Sequence, residues 1–376
     1  MSGEGPRVTV GEPHGARFRE LLPWLVGLGV AYVALILFFD AYLRYHSLNS
    51  DVLWYWTDSL HWQTPFNPYH VPGYALTIAL FRSLTLGLVG PVALMRALNL
   101  AALAACIASI HSLASRAGAP PRLEAVAITV FTLWPFVGLV NVVDPLADTP
   151  AIALFLSGTA LLIGDRPRTG SFLLGLALVF HKAMWPFVAL LVLADVVHRD
   201  RKARRDWIAG LLLVTPLITL WIAGVVHYQS LSWVFARSLE VGSKTRESLP
   251  LLEGLIWTLR QGDAKDIVKS TVLLALCLLV TVVFILSWRG RAATRGYSLA
   301  ITVGTAIFLA TLTHREIWAA LRFSRLLILP LLWLATERLG DERPAWPRMA
   351  AVMPMIGVLL ATQFAFAYYM ARYYFH

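Results

Sequence analysis

The sequence predicts an all-α fold, a polytopic transmembrane helical bundle of about ten or eleven spans, and three observations carry that expectation. Its 376 residues are 58% hydrophobic and 14% charged, whereas a soluble domain carries about 25% charged residues. Apolar runs recur from Leu21 to Met370, several of them near the ~20 residues that cross a hydrocarbon core. The 32 lysines and arginines, which leave a net charge of +10, fall in short loops between those runs, as the positive-inside rule requires. That placement argues against a nucleic-acid patch, which would gather its basic residues on one surface. Cys106 and Cys277 lie inside apolar runs and read as small core residues, not as a disulfide framework or metal site.

The elements follow in order. Residues 1–20 are a polar, basic tail that the charge bias assigns to the cytoplasm, and 21–376 form a single membrane domain. The first run, 21–39, is long for a signal peptide and no small-residue cleavage site clearly follows it, so it counts as a span. The later spans are expected at 92–111, 123–141, 145–163, 171–180, 184–197, 207–227, 270–288, 298–312, 326–335 and 350–369. The fifth, sixth and tenth of the series are short and call for tilt, breaks or flanking extension. Residues 73–88 are also apolar, yet counting them as a crossing would turn the run Arg199, Arg201, Lys202, Arg204, Arg205 outward. They are assigned instead to a helix at or dipping into the outer surface. The outer face then receives the first loop, 40–72, the turn around Asp144, the His181-Lys182 junction, the long loop 228–269, and residues 313–325.

Nearly every acidic or histidine side chain outside the inner loops falls on that one face. The first loop combines Asp51, Asp58, His61 and His70 with Trp54, Tyr55, Trp56, Trp62, Phe66 and Tyr69. Rings stack on the apolar faces of a sugar while carboxylates accept from its hydroxyls, and partial desolvation makes a carboxylate a better general base. The alternative is an interfacial aromatic belt, which needs no ligand.

Four segments, taken in order, resemble the GT-C superfamily of membrane glycosyltransferases. In SDVLWYWTDSLHWQTPFNPYHVPGYALTIALFRSL, Asp51 with Trp54-Tyr55 stands at the family's acidic position after the first span. The run from Tyr69 to Tyr74 stands where the family has Pro-Pro-Leu-Tyr, here with a single proline. NVVDPLADTPAIALFLSGTALLI resembles its acidic turn, GLALVFHKAMWPFVALLVL its short helix and junction, and ALRFSRLLILPLLWLATERL its arginine-bearing segment near the C-terminus. The resemblance spans residues 21–337. It implies a GT-C-like bundle that transfers a sugar, mannose being commonest among relatives of this size, from a polyprenyl-phosphate donor to an acceptor hydroxyl outside the cytoplasm. Asp51 is then the general base. His181, Lys182, His314, Arg322 and Arg325 are the candidates for the donor phosphate, with Arg96 a further one. Asp58, His61, Tyr69, His70, Asp144 and Asp148 are the candidates for binding substrate. The implied partners are the lipid-linked donor, a lipid or glycan acceptor and membrane lipids.

Each residue has a plainer reading beside this one. Asp51 follows Asn49-Ser50 and suits a helix N-terminus. Asp58 and His61 form a local pair if 52–62 is helical. Asp144 and Asp148, four apart, would stack on one helix face, and the plainer alternative is that Asp144 before Pro145 caps the fourth span. A divalent metal at that pair is the alternative to the expectation of no cofactor. Lys182 snorkels to the surface, and Arg322 and Arg325 meet lipid headgroups. The rival function is a transporter or flippase for a lipid-linked or polar solute, which should show midplane charges and repeat symmetry; here the charges gather at one face and no repeat is evident.

Overall fold

The computed structural model describes residues 14–43, 50–60, 71–228, 260, 264–290, 292–312, 317–339 and 349–373. His61, Tyr69, His70, His314, the side chain of Asp51 and most of the 228–269 loop lie outside them. Everything described is helix, turn or short connection, with no strand among the described residues. Chain order gives α1 (His14–Leu43), α2 (Ser50–Leu60), α3 (Gly73–Leu84), α4 (Pro91–Ala117), α5 (Pro121–Thr132), α6 (Val140–Val143), α7 (Asp148–Ile163) and α8 (Pro167–Phe180). A 3-10 turn (Lys182–Met184) leads into α9 (Trp185–His198), α10 (Arg201–Leu212), α11 (Thr215–Tyr228), α12 (Ala264–Trp288) and α13 (Ala292–Ala310). Then come α14 (Ile317–Ser324), a second 3-10 turn (Arg325–Leu327), α15 (Ile328–Leu339) and α16 (Met349–Tyr373).

Four stretches are long and apolar enough to cross a membrane: Arg19–Phe38, Pro91–Ala117, Ile267–Trp288 and Trp318–Arg338. A fifth follows if Arg201–Leu212 and Thr215–Ala223, bent by 42°, count as one span. The chain is thus a multi-pass helical membrane protein. On α1 the apolar residues Leu22, Val26, Val30, Val33 and Leu37 are exposed while Leu21, Leu28, Tyr32 and Leu35 are buried. A helix that is apolar all round, with one face packed and the other bare, is built to meet lipid.

Two expected spans break early. The 123–141 run is helical only to Thr132, and the 145–163 run begins its helix at Asp148. Pro135 and Pro145 remove backbone donors and disfavour helix in the residue before each, so α5 covers only about 18 Å at 1.5 Å per residue. The irregular stretch between them is almost wholly buried, and backbone polar groups there need internal partners. The last helix supplies them. Gln363 accepts from the N–H groups of Leu139 (3.1 Å) and Val140 (3.4 Å) and donates to the carbonyls of Leu133 (3.3 Å) and Trp134 (2.9 Å). Thr362 accepts from the N–H of Phe136 (3.2 Å), a residue held at φ +65°. Close approach elsewhere rests on glycine: a Cβ on Gly158 would sit 2.9 Å from the Gly170 carbonyl, and the converse holds, so α7 and α8 cross backbone to backbone.

The two ends of the bundle differ. At one, Arg199 bonds Asp195 (2.6 Å) and Asp165 (3.1 Å), while Asp195 also accepts from Trp207 (2.7 Å) and from the Tyr297 hydroxyl. Burial works against the Arg199 charge, but the hydrogen bond and charge of Asp195 outweigh it and raise its pKa. His111 pairs with the fully buried Glu124 at the turn from α4 to α5. The helix α7 separates this arginine-rich end from the cluster around Asp148 by about 24 Å.

Candidate functional site

The first turn of α7 anchors the candidate site. Asp148 is its first residue and is 1% exposed. His181 sits where α8 ends in extended backbone, and its Nδ1 accepts the Ala183 N–H at 3.1 Å. That bond leaves the proton on Nε2, which lies 3.1 Å from Asp148 Oδ1. Arg322 reaches the other oxygen from the end of α14, with Nη1 3.4 Å from Oδ2. Neither approach has hydrogen-bond alignment, so both carboxylate oxygens keep acceptor capacity. Arg325, 0% exposed, lies one turn further on. Its Nη2 donates to Thr149 Oγ1 at 3.3 Å, and its guanidinium stands 5.2 Å from the Phe131 ring centre. The Nε atoms of Arg322 and Arg325, and Nη1 of Arg325, are buried with no hydrogen-bond acceptor among the described residues. Phe323, between the arginines, packs its ring 5.0 Å from that of His181.

The sequence expectation for the acidic pair needs correction. Asp144 and Asp148 do not share a helix face. Asp144 ends α6 at φ −98°, ψ 89°, and Pro145-Leu146-Ala147 turn the chain before α7 starts. Asp144 does not cap α7 either, since Ala147 holds that position. Both acids are nonetheless buried. Arg96 is occupied as a brace: its Nε donates to the Val143 carbonyl at 2.8 Å, and its two terminal nitrogens meet Asp40 at 3.0 and 3.3 Å. Lys182 is exposed at the start of the 3-10 turn beside His181.

Asp51 stands in the first turn of α2, and Asp58 is half-buried near its end. This helix docks through Tyr55, whose ring meets Tyr74 of α3 edge-on at 5.1 Å. Tyr74 also packs on Phe180, the residue before His181. Tyr55, Tyr74, Leu146 and Ala147 belong to one small apolar cluster, separate from the main core, that joins α2 and α3 to the acidic turn. A Cβ on Gly73 would lie 2.6 Å from the Val179 carbonyl, so only glycine lets α3 start against the end of α8.

Sequence reasoning passed over Asn99 and Gln363, both 0% exposed. Asn99 donates to the carbonyls of Asn141 (3.1 Å) and Leu146 (3.0 Å) and accepts from the Tyr74 hydroxyl (3.2 Å). The signal was present: each is a lone amide inside an apolar run, and intramembrane polar groups are functional by default. Among the described residues no trio of histidine, cysteine or carboxylate groups gathers as a metal site would require. No family model, curated protein or solved structure matches the chain.

Proposed function

We propose that the protein is a membrane glycosyltransferase that moves a sugar from a polyprenyl-phosphate donor to an acceptor hydroxyl on the side opposite its arginine-rich loops. One observation carries this reading: a cluster in which Arg322 and Arg325 stand at the buried Asp148 and Thr149, with three guanidinium nitrogens buried and without a hydrogen-bond acceptor among the described residues. Buried guanidinium donors that remain open suit an anionic group that leaves during reaction, because a departing phosphate needs cations more than a general acid. The neighbouring aromatic helix α2 suits a sugar, and the resemblance assigns its Asp51 the acceptor proton. In the proposed step the acceptor oxygen bonds the anomeric carbon as the bond from that carbon to the phosphate oxygen breaks. The proton passes to Asp51, and the polyprenyl phosphate leaves as an anion toward Arg322 and its neighbours. The configuration inverts.

The test is transfer by purified, reconstituted protein from radiolabelled polyprenyl-phosphate sugars, mannose first, to candidate glycan and lipid acceptors. Asp51→Asn is expected to abolish transfer and keep donor binding. Arg322→Gln is expected to weaken donor binding by about tenfold to a hundredfold, the loss of one charge-assisted contact. A wild-type protein inert toward every such donor, or a fully active Asp51→Asn, overturns the proposal; inertness coupled to donor translocation indicates the transporter.

A further inference from the structure

We infer that Asn99 is the positioning residue of the acidic turn, and that the Tyr74 hydroxyl anchors its amide oxygen. This deepens the reading above, since it takes Asp148 as part of the working site.

The argument starts from the turn's backbone. Residues 141–147 are not continuous helix, yet all are buried, so their carbonyls need partners from elsewhere. The helix α4 provides them on one face. Arg96 and Asn99 lie three residues apart and so share a face. Arg96 captures the Val143 carbonyl, and Asn99 captures those of Asn141 and Leu146, one on each side of Asp144 and the second just before Asp148.

The Asn99 amide can sit only one way round. Its two N–H groups go to two carbonyl oxygens, and its own oxygen receives the Tyr74 hydroxyl. Turning the amide over would place its oxygen against two carbonyl oxygens, so those carbonyls fix its orientation, and the Tyr74 hydroxyl then satisfies and anchors the amide oxygen. Tyr74 is itself fixed between Tyr55 of α2 and Phe180 beside His181. Hydrogen bonds at Asn99 and ring packing at Tyr74 thereby tie together the aromatic helix, the His181 junction and the turn that delivers Asp148 between His181 and Arg322. A helix start whose preceding turn is held by side chains of a long, regular helix is held tightly, and a shift of about 1 Å at the group it carries lowers turnover by about a hundredfold.

The experiment compares wild type with Asn99→Ala, Tyr74→Phe and Ser109→Ala in the full-length purified protein. Ser109 bonds Ser157 at 2.9 Å, so it links the same α4 and α7 deeper in the bundle and controls for loss of an interhelical bond. Two readouts are taken on folded material: the rate of Asp148 labelling by a hydrophobic carbodiimide, read by peptide mass spectrometry at one pH, and kcat and KM in the transfer assay. Asn99→Ala is expected to raise the Asp148 labelling rate by about tenfold, because loss of the Asn99 hydrogen bonds lets the turn open and admit the reagent. It is also expected to lower kcat by about a hundredfold with KM little changed. Tyr74→Phe moves both readouts the same way by less, and Ser109→Ala moves neither. If Asn99→Ala does not fold, Tyr74→Phe decides the matter through its labelling rate. Labelling and kcat within twofold of wild type in the folded Asn99 or Tyr74 variant, or an equal labelling change in Ser109→Ala, overturns the inference. Should the wild-type protein transfer no sugar, the labelling comparison still decides the role of Asn99, and the proposed function fails separately.

Discussion

Replacing Gln363 with methionine keeps the volume of the side chain and removes every polar contact it makes. Four hydrogen bonds vanish, two from the N–H groups of Leu139 and Val140 and two to the carbonyls of Leu133 and Trp134. Net values of about 0.5–1.5 kcal/mol each are usual in water-soluble hosts, and about 0.6 kcal/mol is the average for interhelical bonds in a membrane. The expected loss is about 2–4 kcal/mol. It should be local as well as global, because the orphaned groups all lie in the stretch between α5 and the acidic turn. The assay is reversible unfolding in mixed detergent micelles followed by tryptophan fluorescence, with hydrogen exchange read at Leu139 and Val140. A Gln363→Met protein within about 0.5 kcal/mol of wild type, with unaltered exchange at those two amides, refutes the idea that α16 holds the broken segment.

Three further outcomes follow from the same structure. Asp195→Ala leaves Arg199, Trp207 and Tyr297 without their shared acceptor and is expected to lower stability by about 3–5 kcal/mol, as breaking a buried ion pair does; the same unfolding assay reads it. Gly158→Leu forces apart the crossing of α7 and α8, where even a methyl group meets the Gly170 carbonyl at 2.9 Å, and is expected to give little folded protein by size-exclusion chromatography. His181→Ala removes the ring beside Asp148 and Phe323; donor binding is expected to fall by about tenfold, one lost contact to a charged group, in a direct binding assay.

Much of the architecture was legible in the sequence because lipid imposes a composition that water does not. The long apolar runs, the first and last helices and the basic connections could be read residue by residue. The broken middle could not. Hydropathy scores Leu133–Val143 and Leu146–Ile163 as apolar whatever their backbone does, and nothing local reveals that Pro135 ends a helix while Pro354 sits inside one. The site was legible in part for the same reason. Asp148, His181, Arg322 and Arg325 were visible as charges in apolar company, and the structure brings these four to the start of α7. Arg96 looked alike in sequence but is tied to Asp40 and Val143, a partnership across 56 residues that no spacing rule exposes. Asn99 and Gln363 carry no charge, so a search for ionisable groups passed them by.

Orientation across the bilayer is the premise on which the transferase reading rests, and one experiment addresses it directly. Single cysteines are placed at Asp58 and at Lys202 in a protein whose Cys106 and Cys277 have been changed to alanine. Intact cells are then treated with a membrane-impermeant maleimide. Labelling at 58 without prior lysis, and at 202 only after it, is the predicted result. Labelling at 202 in intact cells, with 58 reached only after lysis, contradicts the account.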